Sequence, residues 1–307
     1  MLVLLPVVLS DFRTAQLAAV GAYLIAILGL DLLLRDTGQV SLGHGAFMAI
    51  GAYTTAILVE RHGIRDLATI PIAAAVAGAV AIVLGLPALR LPGLYLALVT
   101  FGLALVFPSI PRKFDGLTGG SAGLSFFGNA QQTGGGTGVL GLSEAQWVYA
   151  VTWAVAAGLF FCMTWLVRSR FGRSLRALRD SPRAASSAGV FRSGYQLTAF
   201  GVSAAYAGIA GSLIAIASAV VTPGAIQLQV SLYLVVGAVA GLLGSIRGAV
   251  LGALLVQYLP DVVGAFPRVD STQYGPTTFV YGVILIALVL LAPAALRVAA
   301  VVADRRR

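Results

Sequence analysis

The stretch GRSLRALRDSPRAASSAG, residues 172–189, interrupts a chain that is otherwise almost all apolar. Between 168 and 196 lie Arg168, Arg170, Arg173, Arg176, Arg179, Arg183 and Arg192 against a single acid, Asp180, with apolar runs on both sides. An arginine at the centre of a bilayer costs about 2.5–3.5 kcal/mol on insertion scales, so this segment must lie outside the hydrocarbon. The excess of basic residues in cytoplasmic loops then places it in the cytoplasm. With 59% hydrophobic and 10% charged residues in the whole chain, the fold class is an all-α integral membrane protein.

The basic segment has an order of its own. Ser181 and Pro182 read as an N-cap and first helical position, since proline lacks only an N–H that has no partner there. Arg183, Ala184, Ala185, Ser186, Ser187 and Ala188 then make a short helix with small side chains, and Gly189 takes the left-handed conformation that closes it. Such a helix suits docking into a groove of another protein; the plainer alternative is a solvated basic loop that only sets topology.

Working outward, apolar runs of spanning length occur at 16–34, 42–59, 67–86, 94–110 and 147–167, and after the basic loop at 197–221, 230–243, 249–263 and 277–296. Residues 1–9 have no basic residue before their apolar run and read as an interfacial or truncated first element, not a cleaved signal. The count is therefore about nine to ten transmembrane helices in one permease-like domain over 1–307. It divides into a first helical set at 16–167 with an outer loop at 111–146, the basic loop at 168–196, four last spans at 197–296 and a basic tail at 297–307. Counting from the basic loop puts Arg35, Arg90 and the tail inside, and Arg61, Arg65, Arg112 and Lys113 outside.

Thirty-seven glycines, many inside the spans, allow helix backbones to approach closely where burial of apolar surface gives no drive. The segment QVSLGHGAFMAIGAY, residues 39–53, differs in kind: Gln39, Ser41 and His44 enter a span among glycines, which predicts a broken helix whose polar groups need partners at membrane depth. His44 reads as a hydrogen-bonding packing residue, and with His62 as the only other histidine no metal site is expected. Asp31, one helical turn from Arg35, is expected to pair with it. Cys162, the only cysteine, reads as a small buried apolar side chain.

Several functions are argued against. Gly119, Gly120, Ser121, Ala122 and Gly123 match G-x-S-x-G, but a nucleophile elbow needs a strand-to-helix turn and a histidine base, and this motif sits in a glycine-rich outer loop. A phosphate-cradling loop needs a lysine, and Lys113 is the only one. The chain cannot hold ATP that way and is not expected to be an enzyme. No spread of acids through several spans suggests an ion relay, and no basic face with interleaved aromatics suggests nucleic acid. Energy for uphill transport would come from another chain.

Taken in order, residues 39–53, the segment LTGGSAGLS at 117–125, the loop 172–190 and GLLGSIRGAVLGA at 241–253 resemble the LivM-type permeases, membrane subunits of ABC importers for branched-chain amino acids and related small solutes. The resemblance runs from about residue 16 to 296 and implies a type II ABC importer-like helix bundle in a bacterial plasma (inner) membrane, with the C-terminus cytoplasmic. It implies that Arg173, Arg176, Arg179, Asp180, Ser181, Pro182, Arg183, Ala184, Ala185 and Gly189 form the coupling region against two ATPase subunits, which would carry ATP and Mg; this chain would bind no cofactor. It further implies a second related permease, an extracytoplasmic solute-binding protein meeting outer loops that include Thr118, Gly119, Gly120, Ser121 and Gly123, and Gln39, Ser41, His44 and Phe47 near the translocation path. Transport would proceed by alternating access.

The chain departs from the pattern at Asp31 (commonly asparagine), Arg35 and Asp36 (a glycine-aromatic pair), Ala122 (aspartate), Leu242 (glycine) and Pro182 (an acid). Branched-chain amino acids, other amino acids, urea or amides, and small carboxylates are all compatible with these changes. A stand-alone facilitator or channel for a small neutral solute is the alternative from another class, and a membrane enzyme the third.

Overall fold

The computed structural model describes residues 10–88, 94–126, 143–224, 228–241 and 246–264, together with residue 283. Residues 1–9, Arg90, the expected span at 277–296 apart from residue 283, and the basic tail lie outside the described residues. The other eight expected spans all fall on helices.

The first helix, α1 (Asp11–Asp31), continues without a break into a π-helical segment, Leu32–Thr37. Together they make 27 residues, about 40 Å at 1.5 Å per residue, which exceeds a hydrocarbon core of about 30 Å. The π segment ends at Gly38, whose φ of 69° is left-handed; a side chain there would also crowd Arg179, 3.3 Å away. The Leu33 carbonyl collects the N–H groups of Gly38 and Gln39 and the Thr37 hydroxyl, so the carbonyl freed at the helix end is satisfied within the chain.

Helices α2 (His44–His62), α3 (Asp66–Ala88) and α4 (Leu94–Val106) follow, then two short turns of helix, α5 (Ser109–Lys113) and α6 (Asp115–Thr118). Strand β1 (Leu124–Ser125) precedes the long α7 (Glu144–Arg168). The basic stretch forms two helices, α8 (Arg170–Asp180) and α9 (Pro182–Ser187). After them come α10 (Arg192–Ser218), β2 (Val220–Val221), α11 (Leu228–Gly241) and α12 (Ile246–Gly264). Among the described residues, four helical stretches are long and apolar enough to cross a membrane: Asp11–Thr37, α3, α7 and α10. Helix α4, 13 residues long, stops short of the expected 94–110 span, at about 20 Å, because Phe107 and Pro108 turn the chain.

The core is built on α10, which packs against α1, α2 and α3. Its crossing with α2 is made by glycines facing backbone: a Cβ on Gly51 would fall on the Gly208 carbonyl, and one on Gly211 on the Met48 carbonyl. This is how helices associate in lipid, where close van der Waals contact replaces the hydrophobic drive. Helix α7 buries one stripe, Tyr149, Thr152, Ala156 and Met163, with α1 its main neighbour. Its opposite face shows Phe161 and Trp165, each more than 70% exposed. Cys162 is also exposed, contrary to the sequence expectation, because it falls outside the packed stripe.

Contacts sort the loops into two ends. At one, Arg61 Nη2 donates to the Gly116 carbonyl, β1 pairs antiparallel with β2 (Leu124 with Val221, Ser125 with Val220), and Ser143 Oγ donates to Asp11 Oδ1 at 2.9 Å. At the other, α8 meets the end of α1 through Arg176 and Asp36. The division agrees with the charge counting, which set Arg35 with the basic loop and Arg61, Arg112 and Lys113 on the opposite side.

Candidate functional site

The predicted break is present. Residues 38–43 are non-helical, running from the π segment to the start of α2 at His44. Their backbone is partnered from neighbouring elements, as lipid requires. Leu42 N–H donates to Thr100 Oγ1 of α4 at 3.1 Å, and Gly45 N–H, in the first turn of α2, donates to Ser231 Oγ of α11 at 2.9 Å. Gly43 lies so close to α4 that a Cβ would sit 2.7 Å from the Thr100 carbonyl oxygen.

His44 is wholly buried, and its hydrogen bonds fix its tautomer. Ser203 Oγ donates its only proton to the Gly29 carbonyl at 2.5 Å, so the 2.8 Å contact to His44 Nε2 must be an N–H donated by the imidazole. His44 Nδ1 then accepts from Ser41 Oγ at 3.1 Å. The chain Ser41 to His44 to Ser203 to Gly29 joins the break to α10 and α1 with every proton placed. Phe47 packs one turn on, 5.6 Å from Phe200 in a T-shaped pair. Gln39 is buried too, and its Oε1 has no hydrogen-bond partner.

Two cavities flank this region. One of about 490 Å³ is lined by Leu28, Asp31, Arg35, Asp36, Met163 and Arg176 among others; one of about 160 Å³ is lined by Tyr23, Met48, Ala52, Ser218, Val221 and Val230 among others. Gln39, Ser41, His44 and Phe47 line neither.

The ion pair in the larger cavity differs from the expected one. Arg176 Nη1 lies 3.5 Å from Asp36 Oδ1, whereas Asp31 Oδ1 is buried without a hydrogen-bond partner. Arg35 still acts on both carboxylates through space, but no ion pair within 4 Å joins it to Asp31 among the described residues.

Helix α8 is amphipathic in the order that the sequence dictates. Gly172, Leu175 and Leu178 are buried against the bundle, while Arg173, Arg179 and Asp180 are exposed. Arg173 Nη1 donates to the Arg168 carbonyl at 3.0 Å. Arg176 and Arg179 reach inward: Arg176 Nη2 donates to the Val167 carbonyl at 3.3 Å and Arg179 Nη1 to the Arg35 carbonyl. Ser181 alone separates α8 from α9. Its N–H closes α8 on the Ala177 carbonyl and its carbonyl opens α9 by accepting from Ala185, both at 3.0 Å. The Ser181 side chain makes no capping bond, so the expected N-cap holds in position but not in its hydrogen bond. Pro182 is at the first helical position and Gly189 has a φ of 85°, as expected. Pro182, Arg183, Ala184, Ser186 and Ser187 are exposed and only Ala185 faces inward, so α9 presents an open surface of small side chains and one arginine.

In the outer loop, Thr118 is buried and donates to the Pro111 carbonyl at 2.6 Å. Gly119, Gly120 and Gly123 all have positive φ and fold the chain back into β1, leaving Ser121 exposed. The serine follows a helix and precedes a strand, the reverse of a nucleophile elbow, and His44 is committed to Ser41 and Ser203. Sequence reasoning missed Asp36, Thr100, Ser203 and Ser231. Asp36 entered the sequence reading only as a departure, with Arg35, from the family pattern.

A profile of the family described as branched-chain amino acid transport system / permease component matches residues 13–292. Over 271 residues the chain is 31% identical to the high-affinity branched-chain amino acid transport system permease protein LivM of Escherichia coli (strain K12), and 30% identical to the protein of the same name from Salmonella typhimurium (strain LT2). Each alignment covers 82% of this chain and 64% of the relative, so the chain spans just under two thirds of the length of these curated relatives. No solved structure matches.

Proposed function

Because the chain belongs to the family of branched-chain amino acid transport system permease components, we propose that it is the membrane-spanning permease subunit of an ABC importer for branched-chain or similar amino acids. What carries the reading beyond family membership is one arrangement: a helix exposed for docking, α9, is built onto a second helix, α8, whose arginines grip the element that leads into the break. A stand-alone facilitator has no use for such a unit.

In this reading two ATPase subunits supply ATP and Mg chemistry, a second related permease completes the pathway, and an extracytoplasmic binding protein delivers solute to the end that carries β1 and β2. The protein sits in a bacterial inner membrane with the basic end and C-terminus in the cytoplasm. Arg183, Ala184 and the exposed serines of α9 make the docking surface, with Arg173 and Asp180 at its edge. The path runs beside residues 38–43. Gln39 Oε1, buried and unpartnered, is the atom there with hydrogen-bonding capacity left for a passing ammonium or amide donor. Alternating access follows if closure of the ATPases favours one of two arrangements of the bundle.

The test is purification of the tagged protein from gently solubilised membranes, then uptake of radiolabelled leucine by proteoliposomes holding what co-purifies. Co-purifying ATPases and uptake that requires ATP and the binding protein are expected. A protein that purifies alone and passes leucine without ATP would establish the facilitator instead.

A further inference from the structure

We propose that Asp36, Arg176 and Arg179 form a strut that carries movement of the docking helix to the non-helical segment 38–43, with Asp36 as the positioning residue on the membrane side. The inference rests on the importer reading for its transport consequence, but its geometry stands on this chain alone.

Two surfaces of α8 do different work. Its apolar face, Leu175 and Leu178, is buried against the bundle and has no directional bond in it. Arg176 and Arg179, three residues apart and therefore on one face, supply the polar contacts to the end of the first span. Arg176 Nη1 reaches Asp36 Oδ1 at 3.5 Å, and Arg179 Nη1 donates to the carbonyl of Arg35, the preceding residue. The stem of Arg179 lies over Gly38, the first residue of the break. Three successive features of the chain, the Arg35 carbonyl, the Asp36 carboxylate and the Gly38 backbone, are thus held by one helical turn of α8.

The docking helix cannot move without that turn. Only Ser181 joins α8 to α9, and its N–H and carbonyl are bonded into both helices, so the pair forms a rigid corner. A displacement of α9 therefore pulls on Arg176 and Arg179. On the membrane side the receiving element is the one best able to yield. The π segment, a geometry that is rare and found mostly as single turns, gives onto six non-helical residues that carry Gln39 and Ser41.

Asp36 is the sensitive member. Its side chain is 3% exposed, against 43% for Arg176, and Oδ1 has no hydrogen bond, so the charges of Arg35, Arg176 and Arg179 around it are its compensation. An arginine with water beside it tolerates loss of the pair; a buried carboxylate does not. The pair has an alternative when open, with Arg176 in water. That asymmetry suits a contact that breaks and reforms.

The experiment is hydrogen exchange of residues 38–43 in the full chain held in lipid nanodiscs, comparing wild type with Asp36→Asn, Arg176→Gln, Arg179→Met and the swap Asp36→Lys with Arg176→Glu. Asp36→Asn keeps size and shape, so folding is preserved and is checked by size-exclusion profile. At least tenfold faster exchange at 38–43 is expected in the single variants, with exchange in α10 unchanged, and partial return towards wild type in the swap. Exchange unchanged in Asp36→Asn, or raised equally throughout the bundle, would overturn the strut. A second arm measures leucine taken up per ATP hydrolysed in the reconstituted complex: Asp36→Asn should keep ATP hydrolysis within about twofold and lose most of the uptake. A ratio equal to wild type overturns the coupling role. A wild-type complex that shows neither activity overturns the importer reading, while the exchange result still decides the strut.

Discussion

His44 Nε2 and Ser203 Oγ, 159 residues apart in sequence, meet at 2.8 Å inside the bundle, and the Ser203 proton goes on to the Gly29 carbonyl. One serine thus terminates the polar chain that begins at the break and closes a contact between α10 and α1. The histidine that looked most like a functional group in the sequence is engaged, neutral in its bonding pattern, in holding three elements together.

Ser203→Ala should therefore destabilise the protein more than an average interhelical hydrogen bond in a membrane. It leaves the imidazole N–H without a partner and removes the second donor to the Gly29 carbonyl. The cost expected is above the ~0.6 kcal/mol average for single interhelical bonds in lipid and within the ~1–3 kcal/mol of an unsatisfied buried group. Reversible unfolding in mixed detergent micelles measures it, and a variant as stable as wild type would show that the network contributes nothing.

Glycine substitutions should separate into two classes. Gly51→Ala and Gly211→Ala drive a methyl group into the backbone of the facing helix, so loss of a monodisperse size-exclusion peak is expected, or destabilisation beyond the ~1–3 kcal/mol of ordinary overpacking. Gly102→Ala and Gly158→Ala meet nothing within 4 Å and should be neutral or stabilising by up to ~1 kcal/mol through helix propensity. Equal behaviour of the two pairs would contradict the close approach of α2 and α10.

Serines at helix starts make a similar contrast. Ser143 closes a capping box with Gln146, and Ser169 accepts from Phe171 N–H at 3.1 Å; replacing either with alanine should cost about 0.5–2 kcal/mol in the same unfolding assay. Ser181→Ala should be near neutral, since its side chain caps nothing. A large effect at Ser181 would mean that it forms the capping bond after all.

Much of this was legible in the sequence because lipid leaves few options. Apolar run length located eight helices, and the charge of the basic segment sorted the loops into the two ends that the contacts reproduce. Gly189 and Pro182 marked α9, and the density of Gln39, Ser41 and His44 among glycines marked the break. What was not legible depends on partners distant in the chain. Ser203 and Ser231 look like any small residue of a membrane helix until the imidazole and the Gly45 N–H arrive beside them. The π segment has no residue signature, and the close ion pair at the end of the first helix joins Asp36 to Arg176, not Asp31 to Arg35. Arginine spacing read as a docking surface turned out to have two sides, because Leu175 and Leu178 fix the rotation of α8 and aim Arg176 and Arg179 inward.

Orientation and docking can be read together by thiol labelling. Cys162 is exposed, so the background is Cys162→Ala, into which Ser121→Cys and Arg183→Cys are placed separately; both positions are open to solvent at opposite ends of the bundle. With the basic end in the cytoplasm, a membrane-impermeant maleimide should label Ser121→Cys in cells whose outer membrane is permeabilised, and Arg183→Cys only in inverted vesicles. The opposite pattern would reverse the topology that the arginines dictate. In inverted vesicles the Arg183 position carries a second readout, since α9 stands free in the isolated chain and lies under an ATPase in the proposed complex. Labelling should slow at least fivefold when the co-purifying subunits are present and recover when they are stripped. Rapid labelling under both conditions would remove α9 from the interface, whatever the orientation.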